Sequence, residues 1–125
     1  MQAVRSSRRQ FMAGTAALGA GLAAPATVRA QAFPSKPLRL IVPRAPGGGT
    51  DILSRLLSPA LQRILGQPII VENKPDATAV VGSELVMRAD PDGHVMLVAD
   101  NALYQNPAIL DQLPYDTLKD FAGVT

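Results

Sequence analysis

The stretch that decides the fold is residues 38–51, which reads LRLIVPRAPGGGTD. The run over 38–42, dominated by Leu, Ile and Val, predicts a short buried strand. Two prolines and three consecutive glycines then break any regular element, so residues 43–49 form a loop. Thr50 is predicted to cap a helix, with Asp51 favourably placed in its first turn. The stretch therefore predicts a strand, a glycine-rich loop and a helix, in that order.

The same alternation continues along the chain. Apolar residues at three- and four-residue steps predict that the helix runs to residue 65, bent or divided at Pro59. Strands are predicted over 69–72 and 95–99, with a helix between them from about residue 80 to residue 89. Residues 99–106 are predicted to form a loop and 107–110 at most one helical turn, and 122–125 resemble the opening of a fourth strand.

A β–α–β–α–β order with nearly continuous apolar strands predicts an α/β fold, a parallel-sheet lobe with helices on both faces. Ligands of such sheets bind at the carboxyl ends of the strands. The loops expected there are residues 43–50, 73–79 and 99–106.

The excess of positive over negative side chains comes from the N-terminus. The chain has 125 residues with 12 Lys plus Arg against 10 Asp plus Glu, and residues 1–30 hold four of those Arg and no acid. A basic start, a weakly apolar run over 12–24 and small residues near Ala30 predict an export signal over 1–30. Residues 7–12, SRRQFM, resemble the twin-arginine export motif. The expected location is the periplasm.

Removal of this segment would leave residues 31–125 with eight positive against ten negative side chains. This balance removes the electrostatic case for nucleic acid as a partner. The apolar run is far short of the roughly 20 residues that span a bilayer, so no permanent membrane anchor is expected.

Three glycines before a helix form a nest of backbone N–H groups that suits an anion. No Lys lies between Lys36 and Lys74, which excludes a P-loop. Ile52 stands where a dinucleotide-binding loop needs glycine, although Glu72 could contact a ribose, so a dinucleotide-binding enzyme fragment stays an alternative. A tight turn without a ligand also stays open.

Few side chains suggest chemistry of their own. Asp51 either caps the helix or contacts a ligand, and Arg44 either pairs with a carboxylate or is solvated. His94, the single histidine, is expected at the surface at the start of the third strand. With no Cys and no Ser, His and acid arrangement, we expect no catalytic residue, no metal ligands and no cofactor.

Several sequence blocks together resemble the substrate-binding proteins of tripartite tricarboxylate transporters, the Bug family. They are residues 33–37 (FPSKP), 41–43 (IVP), 45–51 (APGGGTD), 65–75, 91–93, 106–108 and 113–121. The resemblance implies a non-enzymatic periplasmic receptor of the type II binding-protein fold. It implies that residues 31–125 are an incomplete first lobe with the second lobe missing. The expected partners are a small carboxylate and the transporter's membrane subunits, with a non-functional truncated remnant as a further alternative.

The resemblance also implies that the loop matching 43–51 binds a ligand carboxylate through backbone groups and waters. Asp76, Thr78 and Ala79 stand where the family usually has Gly, so Asp76 either points away or alters ligand preference. The candidate ligand-binding residues are Arg44, Ala45, Pro46, Gly47, Gly48, Gly49, Thr50, Asp51, Thr78 and Asn101.

Overall fold

A computed structural model describes residues 32–124, and the predicted export signal lies outside these described residues. The strands and helices alternate along this part of the chain, as the sequence predicts. They are β1 (Leu38–Val42), α1 (Gly49–Leu65), β2 (Ile69–Asn73), α2 (Val80–Met87), β3 (Val95–Leu97) and α3 (Asn101–Ile109).

The three strands form one parallel sheet in the order β2–β1–β3. Because β1 is central, it is covered from both sides, and Leu38, Ile41 and Val42 have almost no exposed surface. The core is thus built on the first apolar run of the sequence. The predicted parallel α/β sheet is confirmed, with β3 two residues shorter than expected.

Helices cover both faces of the sheet. Val42 lies beside Asn73 in the β1–β2 register, and the Asn73 side chain donates to Asp51 of α1. On the opposite face, Gly82 of α2 packs against Ile41, whose side chain alternates with Val42 across the sheet. The prediction of helices on both faces is therefore confirmed.

The apolar stripe of α1 is largely exposed. Only Asp51 and Ser54 of this helix are buried, whereas Leu56 is 72% and Ile64 is 79% exposed. The hydroxyl of Ser54 donates to the Thr50 carbonyl oxygen at 2.6 Å, so its burial leaves no unpaired polar atom. The helix thus rests on the sheet mainly through its less apolar side.

The predicted N-cap of α1 and one of the two outcomes expected at Pro59 are wrong. The helix is continuous through Pro59, so it is not divided there. Its N-cap is Gly48, with Thr50 already inside the first turn. The chain already turns into the helix at Gly49, and the Asp51 carboxylate accepts the N–H of Gly47, the residue before the N-cap, at 2.8 Å.

The prediction of a loop over 99–106 is also wrong, because α3 begins at Asn101. Asp100 caps it, its side chain accepting the Ala102 N–H at 3.0 Å. Ala102, Leu103 and Asn106 are buried along one side. The cap and this buried side stabilise the short helix, and the described residues 122–124 form no strand.

His94 is 6% exposed, so the expectation of a surface histidine is wrong. Its ring lies 4.9 Å from the ring of Phe33, centroid to centroid, and its Nε2 accepts the Ser35 N–H at 3.2 Å. Nδ1 lies 3.2 Å from an Asp92 carboxylate oxygen. The histidine therefore holds the segment before β1 against the start of β3.

Candidate functional site

Asn73, the last residue of β2, joins the first two loops at the carboxyl edge of the sheet. Its Nδ2 donates to the Arg44 carbonyl oxygen at 3.1 Å and to Asp51 Oδ1 at 2.9 Å. One side chain therefore fixes both the start of the glycine-rich loop and the first turn of α1.

Arg44 extends this connection to the other two loops. Its guanidinium donates to the Ala77 carbonyl oxygen at 3.1 Å and forms an ion pair with Asp100. From the sequence, Arg44 is expected either to pair with a ligand carboxylate or to be solvated. In the structure it is a cross-link between the loops that follow β1, β2 and β3.

Asn106 of α3 provides a third connection. Its buried Nδ2 donates to the Thr78 carbonyl oxygen at 2.8 Å and lies 3.3 Å from the Tyr115 hydroxyl oxygen. The loop between β2 and α2 is therefore held from both sides. A loop positioned in this way can present its groups to a ligand with little loss of conformational entropy on binding.

Asp51 is 3% exposed and serves the fold of the glycine-rich loop. Its carboxylate accepts from Arg55 Nε at 3.0 Å, from the Gly47 N–H and from Asn73. These hydrogen bonds, first that of Arg55, lower the pKa of Asp51 to about 2. The backbone N–H that Asp51 accepts belongs to Gly47, outside α1, so Asp51 orders the loop, and neither of its two predicted roles is shown.

The glycine-rich loop leaves backbone donors open. Gly47 has φ +83°, a conformation that favours glycine, and Gly48 donates weakly to the Ala45 carbonyl oxygen at 3.3 Å. Gly49 and Thr50 are the first two residues of α1, and no described residue accepts from their N–H groups. This is the N-terminal arrangement that attracts anions.

Asp76 lies at the N-terminus of α2. Its Oδ2 accepts from the Thr78 hydroxyl at 2.7 Å and from the Val80 N–H at 3.0 Å, and the Thr78 hydroxyl contributes most to lowering its pKa. Ala79 occupies the N-cap position with φ +60°, unusual for a residue other than glycine. The carboxylate of Asp76 thus accepts hydrogen bonds from residues that follow it closely in the chain.

The structure places most of the candidate ligand-binding residues near one another. Residues 44–51 form the first loop and helix start, and Thr78 belongs to the loop that Arg44 contacts. Asn101 is an exposed first residue of α3, beside Asp100. Sequence reasoning missed Asn73, Asp100 and Asn106, of which only Asp100 carries a local signal, that of a helix N-cap.

Glu72, the acidic residue that the dinucleotide-binding alternative depends on, is paired with Arg39 in the structure. Arg39 binds Glu72 through two hydrogen bonds, of 2.6 and 2.9 Å, which engage both of its carboxylate oxygens. Among residues 32–124 no cluster of potential metal ligands occurs, and no helix there is long and apolar enough to cross a membrane. An open groove between α1 and β2 is lined by residues that include Arg55, Gln62 and Val71. Its lining contains none of the three loop glycines.

Sequence comparison identifies relatives of this chain. Residues 53–125 match the family model described as the tripartite tricarboxylate transporter family receptor. The chain is 36% identical over 108 residues to protein BugT of Bordetella pertussis, covering 85% of this chain and 32% of that protein. It therefore spans about a third of the length of the curated relatives that it matches.

Solved structures agree with this match. A structure described as a periplasmic transporter shares 46% identity at a TM-score of 0.67, over 70% of this chain and 30% of that one. MatC from Rhodopseudomonas palustris with bound malate shares 34% identity at a TM-score of 0.62, over 71% and 31%. The family match covers more than half of the chain, and these structures share its parallel-sheet fold. The chain belongs to the tripartite tricarboxylate transporter receptor family.

Proposed function

We propose that this chain contributes the first-lobe part of a periplasmic solute-binding receptor. The receptor captures a small carboxylate and delivers it to the membrane subunits of a tripartite tricarboxylate transporter. The observation that carries the proposal is the pair of open N–H groups of Gly49 and Thr50 at the start of α1. The malate bound to the related MatC supports a carboxylate as the ligand.

Binding, and not catalysis, is what these residues can perform. The backbone N–H groups of residues 47–50 receive the carboxylate, directly or through water. Asp51 and Arg44 act on the ligand through the loop, since Asp51 fixes Gly47 and Arg44 ties the loop to Ala77. Thr78 and Asn101 border the same edge of the sheet.

The same proposal covers the domain organisation of the chain. Residues 1–30 act as a cleaved export signal of the twin-arginine type, and residues 31–125 form an incomplete first lobe. The piece alone therefore binds its ligand more weakly than micromolar, because less of the ligand surface is buried.

The test is a titration of the isotope-labelled chain with malate, read from the backbone amide resonances of residues 47–50. The expected result is saturable shifts in the millimolar range that the neutral diamide of malate does not produce. A matched pair of variants sharpens the test at Gly49. Gly49→Pro removes one N–H at a helix position that tolerates proline, whereas Gly49→Ala keeps it.

We expect Gly49→Pro to weaken malate binding about ten-fold, the effect of losing one hydrogen bond to a charged group. Gly49→Ala should bind as the wild type does, because nothing lies within 4 Å of the added Cβ. If a panel of mono-, di- and tricarboxylates leaves the amides of residues 47–50 unmoved, the proposed function is wrong.

A further inference from the structure

His94 is a buried ionisable side chain at the opposite edge of the sheet, and carboxylate binding makes no use of it. Its ring lies between the ring of Phe33, at 4.9 Å between centroids, and the carboxylate of Asp92. Histidine is the side chain that ordinarily changes its charge between about pH 5 and about pH 8. A buried ring whose two nitrogens face different partners can therefore exchange one contact for another over that range.

The two ring nitrogens respond to protonation in opposite ways. Nε2 accepts the Ser35 N–H at 3.2 Å, so the proton of the neutral ring is on Nδ1. Nδ1 is buried 3.2 Å from Asp92 Oδ1, but the two atoms form no hydrogen bond. Protonation places a second N–H on Nε2, directly opposite the Ser35 N–H, and two donors cannot bond to each other. On the other side, the charged ring is attracted to Asp92.

The surrounding charges concentrate this effect on one carboxylate. The charged residues that line the same groove as His94 are Lys36, Arg39, Arg88, Asp90 and Asp92. Arg39 and Arg88 are already paired, with Glu72 and Glu84 respectively. Lys36 binds Asp92 Oδ2 at 2.8 Å, and this contact contributes most to lowering the pKa of Asp92, so that carboxylate stays charged in weak acid. Asp90 acts on Lys36 only at longer range. A protonated His94 ring would thus compete with Lys36 for Asp92.

Residues 33–36, which precede β1, depend on these contacts for their position. Besides the contacts of Ser35 and Lys36, Phe33 packs on the turn before β3, where a Cβ added at Gly93 would lie 3.2 Å from its ring. The neighbouring sheet is held by backbone groups that do not titrate, including the Arg39 N–H, which donates to the His94 carbonyl oxygen at 2.7 Å. Loss of the Ser35 contact therefore loosens residues 33–36 without opening the sheet.

We propose that His94 is a pH-sensitive latch: the neutral ring holds residues 33–36 against the turn before β3, and the protonated ring releases them. On protonation the ring loses the Ser35 donor and gains the charge of Asp92. Lys36 then shares that carboxylate with a second cation, so two contacts of the segment weaken together. The change is confined to this end of the sheet.

The test follows the ring protons of His94 and the amide of Ser35 by NMR in the full isotope-labelled chain, from about pH 8 to about pH 5. Exchange of the Ser35 N–H with solvent is expressed relative to an unstructured peptide at the same pH. It should become about ten-fold faster as the ring is protonated, the effect of losing one hydrogen bond. The Leu38 N–H, which donates to the Pro68 carbonyl oxygen at 3.0 Å, is the internal control and should keep its protection.

Two variants separate the ring charge from the fold. His94→Gln retains a side-chain acceptor that cannot be charged, so its Ser35 amide should be equally protected at both ends of the range. Asp92→Asn keeps the histidine and removes the nearest negative charge, so the ring should titrate at a lower pH and the change at Ser35 should move with it. Equal protection of Ser35 before and after the wild-type ring titrates would overturn the latch. So would a ring that stays neutral down to about pH 5, or the same loss of protection in His94→Gln.

Discussion

The closest approach between α2 and the glycine-rich loop can be tested by adding one methyl group at Gly82. This residue is buried in the first turn of α2, facing β1 and the start of the loop. A Cβ there would lie 2.8 Å from Pro43 Cβ and 3.2 Å from Pro43 Cα. Neither atom belongs to a flexible side-chain end, so Gly82→Ala requires a movement of α2 or of the backbone at Pro43.

Two opposing effects set the size of the change. Forcing a methyl into a packed contact costs about 1–3 kcal/mol, and a contact of 2.8 Å with an inflexible neighbour belongs in the upper part of that range, at about 2–3 kcal/mol. Replacing glycine by alanine inside a helix gains about 1 kcal/mol. We therefore expect Gly82→Ala to lower the free energy of unfolding by about 1–2 kcal/mol, because backbone must move to relieve the overlap.

The measurement is urea unfolding followed by circular dichroism, with the midpoint and slope compared at one temperature. Gly49→Ala is the matched control, since it adds the same methyl at the start of α1 with nothing within 4 Å. The control should be as stable as the wild type or slightly more stable. A Gly82→Ala variant equal to or more stable than the wild type would show that α2 does not pack on Pro43 as described.

Three further variants test the Asp51 charge, the exposed side of α1 and the buried Asn106 amide. Asp51→Asn should make the free energy of unfolding, measured in urea, fall less steeply as the pH is lowered. The folded state lowers the pKa of Asp51 to about 2, so the carboxylate stabilises the fold above about pH 4. This stabilisation is lost as the pH falls through about 2. Replacing Leu56 and Ile64 of α1 together by Gln should change the free energy of unfolding by no more than about 0.5 kcal/mol per site in urea unfolding, since both side chains are mostly exposed. Asn106→Ala should lower the free energy of unfolding by about 1–3 kcal/mol, because the Thr78 carbonyl oxygen loses a buried donor; equal stability in that variant would contradict the described connection.

The strands could be predicted because their signal is local and strong. β1 matches its predicted range of 38–42, and β2 differs from its prediction by one residue. Apolar runs bounded by Pro, Gly and Asn leave few other choices for such segments. The third strand was overestimated because Val98 and Ala99 continue the apolar pattern after the pairing with β1 ends at Leu97.

Helix α3 was missed because its stability depends on distant residues. Its sequence, NALYQNPAI, has no clear apolar stripe, and Pro107 argues against a helix. What holds it is the cap from Asp100 and the hydrogen bond from Asn106 to Thr78, 28 positions earlier in the chain. A pairing over that separation leaves no trace in the periodicity of one segment.

The orientation of α1 shows a different limit of sequence reasoning. The stripe from Leu53 to Leu65 correctly predicts a helix, but the stripe does not identify the face that meets this sheet. Asp51 faces the sheet, where the Asn73 side chain donates to it, and Ser54 can be buried because its hydroxyl donates to the Thr50 carbonyl oxygen within the helix. Hydrophobic periodicity shows that a helix has an apolar side, but it does not show which neighbouring element packs against that side.

The charges around the three loops decide how an anion can be recognised at this edge. Arg44 is paired with Asp100, and Arg55 is paired with Asp51. Neither guanidinium therefore brings an unbalanced positive charge to a ligand, although Arg44 is a candidate ligand-binding residue by sequence. Under the proposed function, recognition depends on the N–H groups at the start of α1, next to the loop that Asp51 fixes through Gly47. Because such donors act over a short range, binding there should depend strongly on the geometry of the loop and only weakly on ionic strength.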